Sequence, residues 1–201
     1  MSTIATTNIK EPSSATNNIT LTSGGDTTIS GNATISGNAT VTGTLTFPPN
    51  AGQVLQVVHF HEGDKVSGSS TIMPIDDTTP QNTEGDEFMA LTITPVSATS
   101  NLLINVNGIF AAATPHWIQM ALFQDSTADA LATTFVYNGD SNGSSLLSLT
   151  HYMVSGTTSP TTFKIRAGIP SAAVVTLNGV PTSRYHGGKA ASSITITEIA
   201  T

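Results

Sequence analysis

Cysteine is absent from this 201-residue chain, which excludes a disulfide framework and any cysteine-ligated zinc site. Charge is scarce as well, at 9% of residues, where an ordinary soluble protein carries roughly 25%. Long amphipathic helices line their wet face with Lys and Glu, and this chain lacks the supply. An all-β fold is therefore indicated. Only six Lys and Arg stand against thirteen Asp and Glu, giving a formal net charge of −7. No basic footprint for a phosphate backbone exists, so nucleic acid is excluded as a partner. No apolar run approaches the ~18 residues of a membrane span. The opening MSTIATTNIKEPSSATNN has neither a basic nor an apolar signal region. Membrane insertion and standard export are not expected, and synthesis is assigned to a cytoplasm. The Asn-x-Ser/Thr triplets at Asn18, Asn32, Asn38 and Asn142 then read as repeat and turn chemistry, not glycosylation.

Thr, Ser, Gly and Asn take the place of charge, and near the N-terminus they form a ribbon, DTTISGNATISGNATVTGTLTFPP. Ile29, Ile35, Val41 and Phe47 fall six apart, as do Ala33, Ala39 and Leu45, and also Gly31, Gly37 and Gly43. Every odd position from 29 to 47 is apolar or Gly, and every even one between is polar. That is the alternation of an extended segment with one buried face. So few repeats scarcely complete one turn of a solenoid. Identical chains wrapping about a shared axis bury the stripe more simply. The expectation is an intertwined homotrimeric β shaft with Ile29, Ala33, Ile35, Ala39, Val41, Leu45 and Phe47 turned inward. Pro48-Pro49-Asn50-Ala51-Gly52 ends the pattern. Three segments follow: 1–25 as a docking segment, 26–52 as stalk and boundary, and 53–201 as a head.

Short alternating or apolar runs recur through the head, with Gly, Asn and Pro turns between them. Strands are predicted at Val54–Phe60, Thr71–Ile75, Glu87–Ile93, Leu102–Phe110, Trp117–Phe123, Thr133–Tyr137, Leu146–Val154, Thr161–Ala167, Ala173–Leu177 and Ser193–Ile199. Ten short strands without a convincing helix predict an antiparallel sandwich of jelly-roll type.

The segments VLQVVHFHEGD, IDDTTPQNTEGDEFMALTITPVSATSNLLINVNG, TTFKIRAG, LNG and YHGGKAASSITITEI, in that order, resemble elements of tail-fibre and appendage proteins of tailed bacteriophages, those of aquatic hosts included. The opening NIKEPSSATNNITLTSGGDTTISGNATISGNATVTG is similar to their N-terminal regions. The resemblance implies a virion structural protein made in the bacterial host. It also implies a homotrimer whose β-sandwich heads resemble tumour-necrosis-factor or complement C1q heads. The expected role is a short tail or head fibre that docks on other virion proteins through its N-terminal segment. Its head would attach to a host-surface glycan or receptor. A capsid decoration protein that clamps the phage head is the alternative.

Candidate chemistry is sparse. Asp76, Asp77, Glu84, Asp86 and Glu87 form an acidic group in a predicted loop with no companion nucleophile, so turn capping is the plainer reading. Ser69 and Ser70 have no nucleophile-elbow setting, the five His are scattered, and no catalytic triad is visible. Catalytic residues and cofactors are expected to be none; a glycan depolymerase is the enzymatic alternative. His59 and His61 share one side of a strand, and around a three-fold axis six imidazoles could hold a transition metal. The same motif occurs in iron sites of phage fibres and spikes. The competing reading places His59 half-buried at the rim of a sandwich and His61 in a loop. Trp117 opens an apolar strand, which favours core or interface packing over stacking on a sugar. Tyr137, Asn138, Asp140 and Asn142 fall on a predicted exposed loop and form the candidate receptor site.

Overall fold

The computed structural model describes residues 49–201 together with Asn38. The stalk positions Ile29, Ala33, Ile35, Ala39, Val41, Leu45 and Phe47, and the docking segment 1–25, lie outside the described residues.

Twelve strands run in chain order: β1 Val54–Glu62, β2 Val66–Ser67, β3 Asp86–Ile93, β4 Asn101–Ala112, β5 His116–Gln124, β6 Ala132–Asn138, β7 Ser144–Val154, β8 Thr161–Gly168, β9 Val175–Leu177, β10 Gly179–Val180, β11 Ser183–Arg184 and β12 Ser192–Ile199. Among the described residues the only helical element is one 3-10 turn, His186–Gly188. The pairings β5–β6, β4–β7, β3–β8 and β1–β12 are all antiparallel and nest inside one another. The chain thus behaves as one long hairpin with its tip at the β5–β6 turn, rolled over on itself. The bonds β12–β4 and β5–β8 fasten the roll. Two main sheets result, β1-β12-β4-β7 and β3-β8-β5-β6, with β9 and β2 continuing beside the end of β4 and β10–β11 forming a separate two-stranded ribbon. This is the all-β, antiparallel sandwich that the strand spacing predicts.

Alternation explains the core. Leu102, Ile104, Val106 and Phe110 of β4, with Ile194 and Ile196 of β12, turn inward from the first sheet. Phe163 and Ile165 of β8, with Ile118, Met120 and Leu122 of β5, meet them from the second. Phe88 and Phe110 pack edge-on at 5.2 Å between ring centroids. Truncating a buried Phe of this kind costs about 3–5 kcal/mol.

Nine of the ten predicted strands are present; Thr71–Ile75 is not one. It forms an arm that crosses the outer face of the second sheet. Met73 is fully buried there with Ala121 and Phe123, and the Gln119 side chain donates to the Met73 carbonyl at 2.6 Å. Pro74 has no N–H for a ladder, so a buried side chain, not strand pairing, holds the arm down. The Asp86 carboxylate ties its root by accepting from the backbone N–H and hydroxyl groups of Ser69 and Thr71. Arg166 donates to the carbonyls of Glu84 and Gly85 at 2.8 and 2.6 Å and ties its far end.

Candidate functional site

The outward face of the first sheet is read directly from its register. Val57, Thr197, Leu103 and Tyr152 form one row across the four strands. His59, Thr195, Asn105 and Thr150 form the next, and His61, Ser193, Asn107 and Ser148 the third. Ile109 and Leu146 stand opposite each other beyond that. No charged side chain belongs to these rows. Apolar rows flank a polar middle, which is bonded within itself: His59 Nδ1 to Thr195 Oγ1 at 2.8 Å, and the Thr150 hydroxyl donating to Asn105 Oδ1 at 3.0 Å.

His59 and His61 therefore share a face, with ring centroids 6.5 Å apart. Both are exposed, and His61 lies inside β1. This corrects the reading of His59 as a rim residue of the core and His61 as a loop residue. A register irregularity between Val54 and Gln56 sets the parity so that Val58 and Phe60 pack on the core and the odd positions face out. Within a single copy, no group of three His, Asp or Glu that could hold a metal occurs among the described residues.

Four of the five acidic residues, all but Asp77, are taken up by structural duties. Thr78 donates its hydroxyl and backbone N–H to Asp76, which holds that carboxyl below its ordinary value. Burial alone would raise Asp86; hydrogen bonds from Ser69 and Thr71 outweigh it and lower the carboxyl. Glu84 accepts from the Gln81 N–H, and Glu87 stands 3.8 and 3.9 Å from Lys164 and Arg166.

The receptor loop is only partly the array that was predicted. Asn138 is buried: its amide donates to the Gly143 carbonyl at 2.7 Å, and its oxygen accepts from the Asp140 N–H. It holds the loop in shape and offers nothing to a ligand, because a short polar side chain beside a turn bonds its own backbone. Asp140 and Asn142 are exposed, and Asn142 adopts the left-handed backbone, φ 63°. Tyr137 is exposed on β6, and beside it stands Trp117, for which core or interface packing is expected from the sequence; within one copy it is not in the core. Trp117 pairs with Tyr137 across β5–β6, 38% exposed, with Phe135 and Tyr137 at 59% and 56%. The Trp117 ring lies 5.6 Å from Phe135 and 5.1 Å from Tyr137.

The family model of the Pgp3 C-terminal domain matches residues 77–201. The chain belongs to the Pgp3 C-terminal domain family. Its match begins inside the covering arm and takes in every strand from β3 onward. No curated protein matches the chain. Among solved structures, that of infectious bursal disease virus, Gt strain, is similar with 11% identity over 83% of this chain and 43% of that one, TM-score 0.39. Dimeric latent PorU from Porphyromonas gingivalis is similar at 9% identity over 74% and 14%, TM-score 0.36. A Bacillus endospore appendage, from a family of disulfide-linked pili, shares 13% identity over 79% and 100%, TM-score 0.28. This chain spans less than half the length of the first two.

Proposed function

We propose that this chain is a structural subunit of a bacteriophage virion, a homotrimeric short fibre that presents its β head for attachment to the host surface. The observation that carries this is the uncharged outward face of the sheet β1-β12-β4-β7. Leu103, Tyr152, Val57, Ile109 and Leu146 stand there in two rows, and a neighbouring copy supplies the cover they lack. In a three-fold ring the patch of one copy meets a different patch of the next, so the association closes after three and does not extend. The stripe Ile29 to Phe47 has the same need for sister chains, and residues 26–52 are assigned to the stalk. Segment 1–25 docks on other virion proteins. Three heads per fibre, and many fibres per particle, multiply weak contacts with a glycan or receptor. The dispersed carboxylates support a role without catalysis.

Sedimentation of the full chain at micromolar concentration tests the assembly; three copies are expected, and a folded single copy refutes the fibre. Labelling the protein on intact virions then decides its place. Label on the tail or at vertices supports the fibre, whereas label spread over the head lattice favours a decoration protein.

A further inference from the structure

The geometry points to a carbohydrate platform on the outer face of the second sheet, where Trp117, Phe135 and Tyr137 receive the apolar face of a neutral pyranose ring. This names the ligand class for the host-surface attachment proposed above and rests on that reading. The three rings sit on two hydrogen-bonded strands, whose alternate residues Ile118, Met120 and Val136 pack on the core. Trp117 is the central ring, tilted 71° to Phe135 and 59° to Tyr137, so each ring braces the next before any ligand arrives. A braced aromatic surface loses little freedom on binding.

Size and charge choose the occupant. At these exposures the three rings present roughly 300 Å², given ~150–250 Å² for a whole aromatic side chain. A stable protein interface buries about 800 Å² per partner. The platform is too small for a second copy to close on and large enough for one or two sugar rings. The loop that follows Tyr137 and Asn138 in the chain carries Asp140 and Asn142, both exposed. The loop that bears them is fixed by Asn138 and by the Asn142 N–H donating to the Ala112 carbonyl at 2.9 Å. Gly139 brings the loop against the Tyr137 ring, since a Cβ there would stand 3.6 Å from it. Among the described residues neither the Asp140 carboxylate nor the Asn142 amide has a hydrogen-bond partner, which leaves both for sugar hydroxyls. The cations of this sheet face, Lys164 and Arg166, stand opposite Phe123 and Ala121, further along β5. With Lys164 and Arg166 away from the rings and a carboxylate on the adjoining loop, the face disfavours sialylated or sulfated glycans and nucleic acid bases on their phosphate chain, and admits neutral sugars.

Trp117 is the only tryptophan in the chain, so its emission reports this place alone. The full chain is titrated with methyl glucoside, methyl galactoside, N-acetylglucosamine and, as the anionic control, N-acetylneuraminic acid. At least one neutral sugar is expected to give a saturable change, weakened tenfold or more in Tyr137→Ala and unchanged in Lys164→Met. Near-ultraviolet dichroism and the melting temperature of Tyr137→Ala verify that its fold is intact. No saturable change with any neutral sugar up to about 50 mM, where even a very weak contact registers, overturns the platform. So does an equal response to the anionic sugar, or emission that follows protein concentration without sugar. Sedimentation of the same samples separates the two readings. A trimer with silent Trp117 removes the platform and leaves the fibre; a responsive monomer does the opposite.

Discussion

The Ser100 hydroxyl donates to the Glu198 carboxylate at 2.5 Å, joining residues 98 positions apart in the sequence. Glu198 is fully buried and also accepts from the Gln56 amide at 2.6 Å and from the N–H groups of Val96 and Ser97. Through this one carboxylate the loop after β3, the root of β4, strand β1 and the end of β12 are fastened together. Substitution Glu198→Gln removes the charge and turns an N–H₂ toward N–H donors. It is expected to cost about 2–3 kcal/mol, read from the urea midpoint at pH 7.

The same group sets an acid limit. Burial alone would raise the Glu198 carboxyl, but the hydrogen bonds from Ser100, Gln56, Val96 and Ser97 outweigh it and hold it below its ordinary 4.5. The folded state therefore binds fewer protons than the unfolded chain in the window below 4.5. The stabilisation is present above 4.5 and is lost as pH falls through the folded value. Asp86 adds to the loss from its ordinary 3.8 downward. Wild type should lose more stability than Glu198→Gln between pH 5 and pH 3, narrowing the gap between them; parallel losses would refute the assignment.

His151 produces a second effect at milder pH. It follows Leu147 and Leu149 on the inward side of β7, and burial lowers its value from 6.5. Stability is complete above 6.5 and falls as pH drops toward the folded value, because the unfolded chain takes up the proton first. Replacing His151 with Leu should flatten the urea-midpoint profile between pH 7 and pH 5.

Gly168 is where the covering arm presses on the second sheet. A Cβ there would meet Met73 Cβ at 2.7 Å and Gly85 Cα at 3.0 Å. Gly168→Ala is expected to lift Met73 out of its pocket and cost about 1–3 kcal/mol. Protease cutting between residues 69 and 85 should rise at the same time.

Leu103→Asp places a charge in one of the two apolar rows of the uncharged face. Dissociation of the trimer should increase at least tenfold in sedimentation, with Thr158→Asp, in an exposed loop, as the unaffected control. Unchanged association in Leu103→Asp would move the contact surface elsewhere.

Much of this fold is legible in the sequence because β4, β8 and β12 alternate cleanly and turn residues bracket them. The failures share a physical cause, namely a second layer that periodicity does not encode. β5 is buried on both faces over most of its length since the arm covers Gln119, Ala121 and Phe123 from outside, and that largely apolar run hides the one position, Trp117, left uncovered beyond the arm. Met73 is buried by a segment with no strand pattern, so Thr71–Ile75 reads as a strand from its composition alone. At β1, Val54 and Leu55 supply apolar residues of both parities, and only the irregularity at Val54–Gln56 decides that His59 and His61 face out. Around the β6–β7 turn, Asn138 at the end of β6 and Asn142 in the loop look alike in sequence, yet one closes the turn and the other is exposed on it.

Strand β12 lies at the centre of its sheet, bonded to β1 on one side and β4 on the other. Its partners are synthesised up to 145 positions earlier, the distance from Val54 to Ile199. The ribosome must therefore deliver Ser192–Ile199 before that sheet can zip shut, and contacts this distant in sequence form slowly. Nascent heads will wait open, with β1 and β4 edges bare, so crowded polysomes are where mispairing between copies should concentrate.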